Sequence, residues 1–154
     1  MKLRMCDMPT SLTTTSSTRI NAPAAKVWEA LTTPDLIKQW FFGVDTVTDW
    51  KVGNPIIHKG TWQGKPYEDK GTILKFEPPK VLAHSHWSSV SGLPDSPENY
   101  QNVTYTVSEK DGTTELTITE VNLPSEEAKA ISEKSWKTVL NSLKELLEKA
   151  PMLR

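Results

Sequence analysis

The strongest constraint lies near the end of the chain. Between Ala128 and Leu147 apolar residues recur at three- and four-residue spacing: Ala128, Ile131, Trp136, Val139, Leu140, Leu143, Leu146 and Leu147, with Ser135 among them. Lys134, Lys137, Lys144, Glu145 and Glu148 lie off that stripe. This is the period of an α-helix with one apolar face. Pro124-Ser125-Glu126-Glu127 supplies its start, acidic residues facing the positive end of the dipole, and Pro151 marks its stop. About 24 residues at ~1.5 Å each span about 36 Å, the breadth of a small domain. Such a helix needs an apolar surface of matching length, and the residues before it must supply one.

They supply strands. From Val44 to Val121, runs rich in β-branched and aromatic residues are separated by turn signals: Lys51-Val52-Gly53-Asn54-Pro55, Gln63-Gly64-Lys65-Pro66, Pro78-Pro79-Lys80 and Lys110-Asp111-Gly112. That spacing predicts antiparallel hairpins. Val103, Tyr105 and Val107 alternate with polar residues, as do Leu116 and Ile118, so one sheet face is covered and the other wetter. Ser88 to Pro97 reads as a long loop within a hairpin. Upstream, the Thr- and Ser-rich stretch from Ser11 to Asn21 is a further strand ending near Ile20. Pro23 and Pro34 sit where helices begin, with Thr33 as an N-cap, and predict two short helices bent against each other. Gly43 ends the second. The long helix must then lie across a single antiparallel sheet.

At 154 residues one α+β domain is expected, over residues 13–150, preceded by a disordered leader, residues 1–12. Eighteen Lys and Arg against nineteen Asp and Glu, without a basic stripe, argue against nucleic acid. No apolar run approaches the ~20 residues of a membrane span, and residues 1–12 lack a signal-peptide core, so a cytoplasmic protein is expected. Cys6, the one cysteine, permits no internal disulfide framework and no multi-thiolate site.

The local words carry a resemblance. Ile20-Asn21-Ala22-Pro23, then Val27-Trp28-Glu29-Ala30-Leu31-Thr32, Pro34, Leu36 and Trp40-Phe41 resemble the opening of the START-like (SRPBCC) superfamily. Trp50-Lys51-Val52-Gly53, Gly71-Thr72-Ile73-Leu74 with Pro78-Pro79-Lys80-Val81-Leu82, Gly112-Thr113-Thr114-Glu115-Leu116-Thr117, and Trp136 with Leu140 and Leu143 extend it over about residues 16–149. The branch it most resembles is named after the C-terminal domain of the heat-shock protein 90 ATPase activator. The chain departs from that branch at Asn54, at Ser135 and in Glu120-Val121-Asn122-Leu123. The resemblance implies the helix-grip fold, also seen in birch-pollen-allergen-like proteins: a curved antiparallel sheet, two short helices and one long C-terminal helix. It also implies a cavity for a small hydrophobic or amphipathic ligand and a possible chaperone partner in a stress response. The activator's N-terminal domain does not fit in this length, so strong ATPase stimulation is not expected. A monomer or a homodimer is expected.

Trp40, Phe41, Trp62, His84, His86, Tyr105, Trp136 and Leu140 are the candidate ligand-binding residues. Six Trp is a heavy aromatic load, and such side chains either fill a core or line a ligand space. Trp28 reads as core and Trp50 as an edge residue. His84 and His86 share one strand face about 7 Å apart, with His58 on a neighbouring run. Without a thiolate or a motif-placed acid they read as pocket histidines, not metal ligands. Glu120 shares the inner face, whereas Glu68, Asp69 and Lys70 read as a solvated strand start. No nucleophile–base–orienter set, phosphate loop or Rossmann motif is present, so neither a catalytic centre nor a cofactor is expected. The alternatives are a chaperone-associated stress-response interaction protein and a polyketide cyclase- or dehydratase-like enzyme using His84, His86, Tyr105 or Glu120 as acid and base.

Overall fold

β1 (Leu12–Ile20) opens the structure, a computed structural model that describes residues 12–149. Cys6 and nearly all of the expected leader lie outside the described residues. Two short helices follow, α1 (Ala24–Thr32) and α2 (Pro34–Trp40). Six further strands come next: β2 (Asp45–Thr48), β3 (Pro55–Trp62), β4 (Lys65–Glu77), β5 (Val81–Ser88), β6 (Gln101–Lys110) and β7 (Thr113–Leu123). The long helix α3 (Glu126–Lys149) ends the described chain. The strands form one antiparallel sheet in the order β1-β7-β6-β5-β4-β3-β2. This is the helix-grip α+β plan. β1 and β2 are the two edges, so α1 and α2 carry the chain from one edge to the other and close one end of the concave face.

Local chemistry explains the boundaries. Gln63 and Gly64 both take positive φ (53° and 80°), as do Asp111 and Gly112 (55° and 81°). Two consecutive residues of that kind make the tight hairpin turn whose twist matches the strands it joins. Pro23 is the cap of α1, one position earlier than a first-turn proline, and the Glu109 carboxylate of β6 accepts from the Ala24 N–H at 2.7 Å. Thr33 stands at the N-cap of α2 as expected, yet its side chain makes no capping bond. Phe42 and Gly43 leave α2 with positive φ, 52° and 73°.

α3 lies across the concave face, with its closest packing against β1. Val139, Leu140, Leu143 and Leu147 are buried against Ile20, Val27, Leu116 and Ile118. The apolar stripe is not covered along its whole length. Ile131, expected on the buried face, is 59% exposed, because the first turns of α3 overhang the sheet instead of resting on it. The core between α1 and the sheet is aromatic: the Trp28 and Trp50 rings lie 5.4 Å and 6.0 Å from Phe76. Trp50 is therefore half-buried packing and not a free edge.

β4 and β5 determine how the cavity floor is shaped. Tyr67, Asp69, Gly71 and Ile73 alternate onto the concave side of β4. A register shift between Ile73 and Lys75 then resets the parity and brings Phe76 inward. At Gly71 the two strands nearly touch: a Cβ there would lie 1.8 Å from the Ser85 carbonyl oxygen. Only glycine allows that approach.

Candidate functional site

Where the first turns of α3 rise off the sheet, they leave a cavity of about 470 Å³. That volume falls within the ~300–1,000 Å³ range of small-molecule sites. Phe41 from the end of α2, Val103 of β6, and Trp136 and Val139 of α3 give it apolar walls. Polar groups come from the strands: His58 of β3, Asp69 of β4, His84 and His86 of β5, Tyr105 of β6 and Glu120 of β7. Phe42, Val90 and Ile131 ring the mouth, each more than half exposed.

The aromatic walls are interlocked. The Phe41 and Trp136 rings are nearly parallel, 5° apart in plane with centroids 6.2 Å apart. Trp136 meets Tyr105 edge-on at 6.0 Å, and Tyr105 stacks on His84 at 5.8 Å. His58 completes the row, 6.1 Å from His84. Trp136 Nε1–H donates to Glu120 Oε1 at 2.8 Å, and the Ser132 hydroxyl donates to the same oxygen at 2.5 Å. Glu120 thus ties α3 to β7 while facing the cavity.

His58 and His84 have defined protonation. Burial, with the neighbouring imidazoles adding to it, pushes His58 down from 6.5 to about 3. Burial pushes His84 down to about 4. Both rings are neutral near pH 7. His84 Nδ1 lies 2.8 Å from the Ser85 carbonyl oxygen, which can only accept. The proton therefore sits on Nδ1, and Nε2 is left as a bare acceptor. His58 Nδ1 is held by the Thr46 hydroxyl at 2.8 Å. Burial holds the Tyr105 phenol above its ordinary value, and Glu120 adds to that effect.

Asp69 corrects the expectation of a solvated strand start. It is 8% exposed, and its Oδ2 lies 3.7 Å from His86 Nε2. Oδ1 is buried without a hydrogen-bond partner. Burial raises its carboxyl group, while His86 and the Ser88 hydroxyl work against that rise. The clue lay in the strand: Asp69 shares the parity of Gly71 and Ile73, which belong to the covered face.

Five of the expected residues meet at the cavity: Phe41, His84, His86, Tyr105 and Trp136. Three do not line it. Trp40 is buried beside it, its Nε1–H donating to the Ala30 carbonyl at 2.9 Å, which joins α2 to α1. Leu140 is core, one turn further along α3. Trp62 is 59% exposed, because the tip of the β3–β4 hairpin runs beyond the reach of α3. Trp87, at the end of β5, donates from Nε1 to the Leu93 carbonyl at 3.1 Å and so fastens the loop that carries Val90 to the rim. Among the described residues no group of three or more His, Cys, Asp or Glu is placed to hold a metal. No helix among them is long and apolar enough to cross a membrane.

A family model described as "Activator of Hsp90 ATPase homolog 1-like protein" matches residues 21–148. The chain is similar to a protein from Cytophaga hutchinsonii solved in solution, at 45% identity and a TM-score of 0.78 over 92% of this chain and 97% of that one. It is also similar to CalU16 from Micromonospora echinospora, at 25% identity and a TM-score of 0.70 over 92% and 80% of the two chains. The solution structure of the Aha1 dimer from Colwellia psychrerythraea shares the fold, at 24% identity and a TM-score of 0.72 over 89% and 96%. A comparison with curated proteins finds no match.

Proposed function

The chain belongs to the activator of Hsp90 ATPase homolog 1-like family, and within that fold we propose that it binds one small amphipathic molecule between the sheet and the first half of α3. The carrying observation is the cavity itself: about 470 Å³, walled by Phe41, Val103, Trp136 and Val139, with polar groups gathered on the strand side. Apolar walls supply affinity, and a few fixed polar groups supply orientation. The exposed apolar rim gives such a ligand a wetted path inward.

Native mass spectrometry tests this reading. Protein mixed with drug-sized aromatic amphiphiles retains one molecule per chain, and Trp136→Ala abolishes that retention. Retention unchanged in the variant, or no retention of any amphiphile, contradicts it.

The rim also supports a second role as a chaperone contact, since Phe42, Val90 and Ile131 present apolar surface beside the mouth. Here the family description supplies the partner, heat-shock protein 90. Capture of that chaperone by the chain, lost in a Phe42→Ser, Ile131→Ser double variant, is the expected result.

A further inference from the structure

The polar side of the cavity sets three acceptors, Asp69, His84 and Glu120, among the hydroxyl and amide groups of Tyr105, Ser135 and Gln101. Asp69 offers a buried, unpartnered Oδ1. His84 offers Nε2, since its Nδ1 is committed to the Ser85 carbonyl. Glu120 is a second carboxylate, already holding donors from Ser132 and Trp136. Among the described residues, neither Lys nor Arg lines the cavity. His86 Nε2 lies 3.7 Å from Asp69 Oδ2 and the Ser88 hydroxyl is the carboxylate's other polar neighbour, while the buried Oδ1 has no hydrogen-bond partner.

Resting on the ligand-binding reading above, we infer that the cavity selects an aromatic amphiphile whose head is a hydrogen-bond donor without negative charge, best of all an amine, and rejects anionic lipids and carboxylates. Three physical arguments converge. A buried acceptor without a partner costs free energy that a donor head on the ligand recovers. A carboxylate or phosphate head would enter a low-dielectric space beside two acidic side chains with no cation to receive it. The faces of Phe41, Tyr105 and Trp136 attract a cation through their ring quadrupoles and repel an anion. Rejection of the wrong head is thus designed into the lining as much as attraction of the right one.

The test uses three probes that share one ring system: naphthylmethylamine, naphthylmethanol and naphthoate. Calorimetric titration of the full chain at near-neutral pH is expected to rank them in that order, the amine at least about tenfold tighter than the carboxylate. Asp69→Asn, which keeps the shape and removes the charge, is expected to bring amine and alcohol within about threefold of each other. Naphthoate binding as tightly as the amine overturns the inference, and so does an amine preference that survives Asp69→Asn. If the variant does not fold, the wild-type ranking alone decides. Equal binding of all three sinks the head-group assignment and leaves the ligand cavity standing. Binding of none sinks both.

Discussion

Lowering the pH from about 7 to about 4 is expected to unfold this protein at room temperature, through His58 and His84. Both imidazoles are buried neutral, with folded values of about 3 and about 4 against an ordinary 6.5. In the unfolded chain each takes up a proton as pH falls through 6.5; in the folded chain each resists until about 4 or below. The unfolded state therefore binds more protons across that window, and stability falls as pH falls. Each group contributes about 1.4 kcal/mol per pH unit of difference. Two such groups, acting over two to three units, amount to several kcal/mol, comparable with the ~5–15 kcal/mol that holds a domain together. Tyr105 stacks on His84 and leaves no room for water beside a charged ring. Asp69 works the other way, since its raised carboxyl group favours the fold as pH falls; two histidines outweigh one acid. Urea unfolding at several pH values should show nearly two protons taken up on unfolding near pH 5. A His58→Gln, His84→Gln double variant should flatten that dependence to less than one. A stability that does not change between about pH 7 and 4.5 would contradict the buried, neutral histidines.

The second large effect is expected at Trp136. Its indole fills the space between Phe41 and Tyr105 and donates to Glu120. Trp136→Ala removes a large buried aromatic side chain, which costs about 3–5 kcal/mol. It also strips a donor from a carboxylate that is 7% exposed, leaving Ser132 as its remaining partner. Trp136→Phe keeps most of the packing and loses only the indole N–H, so it should cost about 1–2 kcal/mol. Chemical denaturation of the two variants separates the terms. Equal losses would mean that the hydrogen bond carries all of the effect, which the interlocked ring geometry contradicts.

Much of this was legible in the amino-acid order because it repeats. The three-four spacing from Ala128 to Leu147 has one structural solution, and the alternation of Val103, Tyr105 and Val107 has another. Gln63-Gly64 and Asp111-Gly112 placed their turns because few residues accept positive φ. The cavity was legible in its centre, where Tyr105 and Trp136 stand in the middle of long regular elements. It was not legible at element ends. Trp62 has the inward parity of His58, but its hairpin outruns the helix that would cover it. Ile131 lies on the apolar stripe, but at the turns of α3 that stand off the sheet. Asp69 sat between Glu68 and Lys70, a setting that reads as solvent although its parity with Gly71 and Ile73 turns it inward beside His86. At Trp62 and Ile131 burial depends on what crosses above the element, which no local pattern encodes.

The central claim is that a molecule enters beneath the first half of α3. The most direct measurement follows the indole N–H resonances of the six tryptophans in ¹⁵N-labelled protein as naphthylmethylamine is added. The Trp136 signal should move and saturate at one molecule per chain, together with backbone amides of Ser132, His86 and Val103. Trp28, in the core beside Phe76, and Trp62, on the exposed hairpin, should stay in place. Saturable shifts confined to Trp62 and the outer strands, with Trp136 unmoved, would contradict the account.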